Sequence, residues 1–188
     1  MGYIHAPQEV HGMATIDEKL RAAIRDIPDF PKPGIMFKDI SPLLADPKLF
    51  RATIDKFAES WAGEHVDVVV GMESRGFLFG APLAMELSAA FVPARKPGKL
   101  PYKTVSVSYD LEYGSNTLEL HTDAIKPGQK VLIVDDLLAT GGTAKATREL
   151  VEKLGGVVAA YCFVVELGFL GGRSVLGDAR VDSLLIFD

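Results

Sequence analysis

The residues best suited to chemistry lie in VLIVDDLLATGGTA, residues 131–144. Asp135 and Asp136 follow an apolar run, and Ala139, Thr140, Gly141, Gly142 and Thr143 follow two leucines. Glycines let a backbone curl so that successive N–H groups converge on one point. The helix expected next adds a partial positive charge there, and the threonines add hydroxyl donors. Together these form a cup for phosphate. The two carboxylates cannot face the same phosphate favourably, because they need donors or cations. A sugar diol beside the phosphate supplies donors at a suitable distance. Phosphate together with ribose hydroxyls therefore explains the segment better than phosphate alone.

Other devices fail on inspection. No GxxxxGK[ST] occurs, so VLIVDD is not the acidic strand of a P-loop NTPase, and no GxGxxG dinucleotide fingerprint is present. GMESRG (71–76) departs from GxSxG, which makes Ser74 a poor hydrolase nucleophile. His5, His11, His65 and His121 have no metal-ligand spacing. Cys162 is the single cysteine, inside an apolar run, and is expected to pack as a small hydrophobe.

The elements that position the cup follow from the periods around it. A chain of 188 residues, 48% hydrophobic and 24% charged, has the composition of a soluble globular protein of one domain. Its net charge of -5 argues against a general nucleic-acid binder but allows a small anion held by local cations. No apolar run is long enough to span a membrane. The first residues lack a signal-peptide pattern, and nothing requires an oxidising compartment, so the expected location is cytoplasmic. Residues 1–12 read as a weakly ordered extension, and Met13 as a candidate original start.

Thr15 and Glu18 predict a capping box and a helix through about Arg25. Prolines 28, 31 and 33 with Gly34 predict an ordered loop over 28–42, without regular structure. Asp46-Pro47 predicts a capped helix that buries Leu49, Phe50, Ile54, Phe57 and Trp61. VDVVVGM, FVPAR, KVLIVDD, VVAAYCFVVEL and SLLIFD read as strands, several of them continuously apolar. SRGFLFGAPLAMEL and TAKATRELVEKL read as helices, the second closed by Gly155-Gly156. SVSYDLEYGSNTLEL alternates around Gly-Ser-Asn as a hairpin or a flexible two-stranded arm. Strands alternating with helices make an α/β fold with a mainly parallel sheet. Its ligand belongs beyond the carboxyl ends of the strands, where Asp135 and Asp136 are expected to end theirs.

VLIVDDLLATGGTA resembles the 5-phosphoribosyl-1-pyrophosphate (PRPP) motif of type I phosphoribosyltransferases. Within them, FPKPGIMFKDISPLL, VVGMESRGFLFG, PARKPGKLPYKTVSVSYDLEYG, LELHTDAIKPGQKVLIVDDLLATGGT and VVELGFLGGR resemble the branch acting on adenine. The likeness covers nearly everything from residue 14 onward. It implies a central parallel sheet flanked by helices, a mobile flap, and a small hood built partly from the N-terminal segment, in one domain over 13–188.

The resemblance also implies roles. Ala139, Thr140, Gly141, Gly142 and Thr143 would hold the PRPP 5'-phosphate, and Asp135 and Asp136 the ribose hydroxyls. Ser74 and Arg75 would face pyrophosphate, as would Arg95 and Lys99, the latter two sometimes across a dimer interface. Phe37 and Leu137 would sandwich the adenine ring, with backbone groups around Met36 and Lys38 reading its edge. Glu112, in the arm from Thr104 to Leu120, would give the base a proton or a hydrogen bond on closure. Mg²⁺ would be carried by PRPP oxygens and water, with no direct protein ligand. The implied partners are adenine, PRPP and a second copy of the chain, without nucleic acid or membrane. The competing readings are a phosphoribosyltransferase for another purine and a PRPP-sensing regulator. Against the regulator stand the missing helix-turn-helix segment and the acidic net charge.

Overall fold

A computed structural model describes residues 14–111 and 114–188. The N-terminal extension, Met13 and Glu112 lie outside the described residues. Two compact units divide between Leu49 and Phe50.

In the first unit, helix α1 (Ile16–Ala22) opens on the expected capping box. The Thr15 hydroxyl accepts the Glu18 N–H, and the Glu18 carboxylate accepts the Thr15 N–H at 2.7 Å. The helix stops short of Arg25 because β1 (Arg25–Pro28) pairs antiparallel with β2 (Met36–Asp39), Arg25 opposite Asp39 and Pro28 opposite Met36. This corrects the reading of 28–42 as a loop without regular structure. Pro28 is tolerated at the end of a two-stranded sheet, and Pro31 and Pro33 fall in the connection, where no ladder needs their N–H. The Asp29 carboxylate closes that connection by accepting the Gly34 N–H at 2.7 Å. Helix α2 (Ser41–Ala45) follows. Helix α3 (Pro47–Ser60) is capped as expected, the Asp46 carboxylate accepting the Lys48 and Leu49 N–H groups at 2.8 and 3.2 Å.

The second unit holds most of α3, then β3 (Val68–Met72), α4 (Gly76–Glu86), β4 (Ala90–Ala94), β5 (Thr104–Leu111) and β6 (Gly114–His121). After these come β7 (Lys130–Leu138), α5 (Gly142–Lys153), β8 (Val157–Leu167), α6 (Gly172–Val175) and β9 (Val181–Phe187). Five strands form a parallel sheet in the order β4-β3-β7-β8-β9. Central strands of such a sheet are covered on both faces, which is why VVVGM and VLIV are apolar without alternation. Ile54, Phe57 and Trp61 are buried as the helical spacing required, and Cys162 is buried as well. Burial pushes its thiol up to about 12, as suits a packing residue. Helix α4 forms despite Gly80 and Pro82. Gly80 lets it lie close to β4, since a methyl there would stand 3.1 Å from the Phe91 ring.

From β3 the chain goes outward to β4, then returns through the β5–β6 arm to β7 on the other side of β3. The order reverses between β3 and β7, and that reversal opens a crevice at their carboxyl ends. The arm pairs from Thr104–His121 to Leu111–Gly114. Gly114, Ser115 and Asn116 thus belong to β6, and the reversal precedes the Gly-Ser-Asn on which the sequence placed it. The base of the arm is fixed to the unit: Val107, Leu118 and Leu120 are buried in the core, and the Lys153 ammonium donates to the Ser106 carbonyl at 3.0 Å. Among the described residues no helix is long and apolar enough to cross a membrane.

Candidate active site

Strand β7 runs past both aspartates to Leu138, further than the sequence suggested, because its pairing with β8 continues through Leu138 opposite Glu166. The chain then turns through Ala139, Thr140 and Gly141 into α5. Asp135, Leu137 and the segment from Ala139 to Thr143 line a cup of about 80 Å³, floored by Met72 and Phe163. That space exceeds what a single water needs, so the cup has room for a compact polyatomic group such as phosphate. The α5 N-terminus opens onto it, as anion binding requires.

The turn depends on a close approach of glycines. Gly141 has φ +83°, and a methyl on it would stand 2.6 Å from the Gly172 carbonyl oxygen. A methyl on Gly172 would in turn overlap the Ala139 carbonyl oxygen. Gly172 therefore lies directly under the loop. A bidentate pair holds that underlayer in place: Arg173 donates from Nε and Nη2 to the buried Glu166 carboxylate at 3.0 and 2.6 Å, and from Nη1 to the Val181 carbonyl at 3.1 Å. Ser183 also donates to Glu166. The Arg173 hydrogen bond holds the Glu166 carboxyl below its ordinary range, against the opposing effect of burial.

The two aspartates differ. Asp136 is buried, 4% exposed, and its Oδ2 receives the Arg75 guanidinium at 2.6 Å. Asp135 lines the cup, and its Oδ1 accepts the Asp136 N–H at 2.8 Å. Burial, and next the neighbouring Asp136 carboxylate, push the Asp135 carboxyl well above the usual carboxylate range. Sugar hydroxyls donating to Asp135 would favour its charged form.

Ser74 and Arg75 lie at the start of α4, both exposed, after a cis Glu73–Ser74 peptide. Arg95 donates to the Glu73 carboxylate, from Nε at 3.2 Å, and from Nη1 to the Lys99 carbonyl at 3.4 Å. Burial works to raise the Glu73 pKa, but the Lys96 N–H and the Arg95 guanidinium outweigh it and hold the carboxyl below its ordinary value. Lys99 is exposed. Thr143 Oγ1 lies 3.0 Å from Tyr109 Oη, on β5. In the first unit, Met36 is exposed, Phe37 meets the Phe30 ring edge-on at 5.1 Å, and Lys38 forms an ion pair with Asp26. Among the described residues no group of three His, Cys, Asp or Glu could hold a metal ion.

Residues 41–169 match the family model for the phosphoribosyl transferase domain. The chain is 60% identical over 168 residues to the adenine phosphoribosyltransferase of Sorangium cellulosum, covering 89% of this chain and 84% of that one. The chain belongs to the adenine phosphoribosyltransferase family. A second member, from Myxococcus xanthus, is 55% identical over 98% of this chain and 100% of its own. The crystal structure of adenine phosphoribosyltransferase from Thermoanaerobacter pseudethanolicus superposes with a TM-score of 0.88 at 53% identity, over 91% of this chain and 99% of that one. The Saccharomyces cerevisiae structure, complexed with an imino-altritol bisphosphate and adenine, gives 0.86 at 46% identity, over 90% and 98% of the two chains.

Against this family, the fold expected from sequence holds: an α/β architecture around a parallel sheet flanked by helices. The structure brings Asp135, Leu137 and residues 139–143 together at one cup, and joins Arg75 to Asp136. It engages Arg95 with Glu73, a residue sequence reasoning passed over although it directly precedes Ser74-Arg75. Tyr109, Gly172 and the Glu166–Arg173 pair were also missed. The adjacent glycines of GFLGGR were the only available signal for that underlayer.

Proposed function

We propose that the chain transfers the 5-phosphoribosyl group of PRPP to adenine, giving AMP and pyrophosphate. The observation carrying this reading is the cup at the β7–α5 turn, lined by residues 139–143 and the α5 N-terminus, with Asp135 also on its lining. Adenine as the base is supported by relatives of that name at 55–60% identity. Neither competing reading has an observation in its favour.

In this reading Ala139, Thr140, Gly141, Gly142 and Thr143 take the 5'-phosphate. Asp135 and Asp136 take the ribose hydroxyls, and Ser74, Arg75, Arg95 and Lys99 take pyrophosphate. Arg75 and Asp136, paired with one another at 2.6 Å, would each meet a substrate group of matching charge or donor character. Met36, Phe37, Lys38 and Leu137 take the base. The bond from ribose C1 to the pyrophosphate oxygen breaks, its electron pair leaving with pyrophosphate, and a bond from C1 to a ring nitrogen of adenine forms. Positive charge develops on the sugar, and the nearby carboxylates stabilise it. Glu112 supplies a proton or hydrogen bond to the attacking base; adenine gives up its ring N–H proton to pyrophosphate or water as the bond forms, and a proton lent by Glu112 returns to it. Pyrophosphate would leave with its charge offset by the Mg²⁺ that PRPP and water would carry into the site. Residues 13–188 act as one catalytic domain, in a cytoplasmic homodimer. The dimer is supported by the apolar outer side of α4, where Leu78 and Met85 are exposed.

The test is AMP formation from adenine, PRPP and Mg²⁺. A pocket accepting a hydrogen bond from the 6-amino group leaves a buried acceptor facing oxygen in hypoxanthine. The expected kcat/KM preference for adenine is at least ~100-fold. Comparable efficiency on hypoxanthine would sink the adenine assignment.

A further inference from the structure

We propose that Tyr109 is a positioning residue for the sugar 5'-phosphate, acting through the Thr143 hydroxyl. The inference rests on the assignment of Thr143 to that phosphate. Tyr109 stands on β5, and its Oη lies 3.0 Å from Thr143 Oγ1, across a sequence gap that no local motif spans. Both oxygens are set by the fold. The Tyr109 ring packs against the central core, and Lys153 fastens β5 to α5 through the Ser106 carbonyl. Thr143 belongs to the first turn of α5, and its carbonyl accepts the Thr147 hydroxyl at 2.9 Å.

Without ligand, either hydroxyl can donate to the other. Each carries a single proton. Once Thr143 commits its proton to a phosphate oxygen, it can only accept from Tyr109, so the Tyr109 proton must point to Thr143. The chain from Tyr109 O–H to Thr143 O–H to phosphate polarises each link towards the anion. Pyrophosphate and adenine alone do not engage this chain. Tyr109 therefore favours 5'-phosphorylated ligands without touching them, and it ties the base of the arm to occupancy of the cup.

Tyr109→Phe removes one oxygen and leaves the packed ring. Calorimetric titration with ribose 5-phosphate, AMP and pyrophosphate, beside steady-state kinetics, reads the effect. The Kd values of ribose 5-phosphate and AMP and the KM of PRPP should rise ~3–10-fold, the size of one lost hydrogen bond. The kcat and the pyrophosphate Kd should stay within ~2-fold, because the contact serves ground state and transition state alike. In a Thr143→Val background, Tyr109→Phe should add less than ~2-fold, since the relay is already cut. Unchanged ribose 5-phosphate affinity in Tyr109→Phe, an equal loss for pyrophosphate, or additive losses in the double variant would each overturn the inference. Failure of the wild-type protein to form AMP would instead count against the activity assigned above, because ribose 5-phosphate binding needs no base.

Discussion

Asp135 and Asp136 are neighbours of the same type whose surroundings set them apart. Asp136 is buried and neutralised by Arg75, whereas Asp135 is pushed above the ordinary carboxylate range by burial and by Asp136 itself. A native pKa above the unfolded value means that the folded chain binds this proton more tightly. The stability this contributes is present at low pH and is lost as pH rises through the window between the two values. Asp135→Asn keeps an oxygen to accept the Asp136 N–H and removes the charge. Its Tm should therefore equal or exceed wild type at neutral pH, with the difference shrinking as pH falls towards the ordinary carboxylate range. Asp136→Asn loses an ion pair and should melt lower than wild type. Both variants should lose ~100-fold or more in kcat/KM, as removal of charge facing a transition state does. Melting curves across pH separate the two residues. A lower Tm for Asp135→Asn at neutral pH would show that its carboxylate is a structural anchor.

Among the elements, α6 is short, yet the cup depends on it. Gly172 fits under Ala139 only while Arg173 grips Glu166 from one side and the Val181 carbonyl from the other. Arg173→Leu leaves the buried Glu166 carboxylate with Ser183 as its donor, and α6 loses its hold. Because Arg173 is itself half-exposed, the cost should be about 1–3 kcal/mol rather than that of a fully buried pair. The KM for PRPP should rise more than the KM for adenine, and kinetics with each substrate varied in turn would show it. Equal changes in both would mean that α6 supports the unit generally and not the loop. The same contrast explains what the sequence disclosed. The parallel strands were legible because burial on both faces leaves continuous apolar runs. The caps at Thr15 and Asp46 were legible because they are local. The β1–β2 hairpin was hidden by prolines that read as breakers, although they fall where no ladder needs an N–H. The end of β7 was hidden because its length is set by β8. The cup itself was legible as a string of adjacent residues. Its supports were not, since Tyr109 with Thr143, Glu73 with Arg95, and Glu166 with Arg173 are partnerships that only the tertiary fold creates.

At the scale of the whole molecule, α4 poses the remaining problem. One side of it buries Phe79, Leu83 and Ala84 against the sheet, as a helix in an α/β fold should. Its other side is also apolar: Leu78 and Met85, two turns apart and so on one face, are 43% and 81% exposed. A helix apolar on all sides is normally covered on all sides. Ser74 and Arg75 directly precede the same helix, so whatever covers its outer face bears on the pyrophosphate candidates at its N-terminus. A second copy of the chain is the proposed cover. In a two-fold interface one patch meets its own image, and each substitution enters twice. Leu78→Lys with Met85→Lys would bury paired like charges against one another, a cost of several kcal/mol that a standard interface does not absorb. Sedimentation equilibrium should show the wild-type chain as a dimer and the double variant as a monomer with a retained fold by circular dichroism. The KM for PRPP should rise in that monomer, because the helix that Ser74 and Arg75 lead into has lost its support. If the double variant sediments as wild type does and keeps its KM, the outer face of α4 is not where the copies meet.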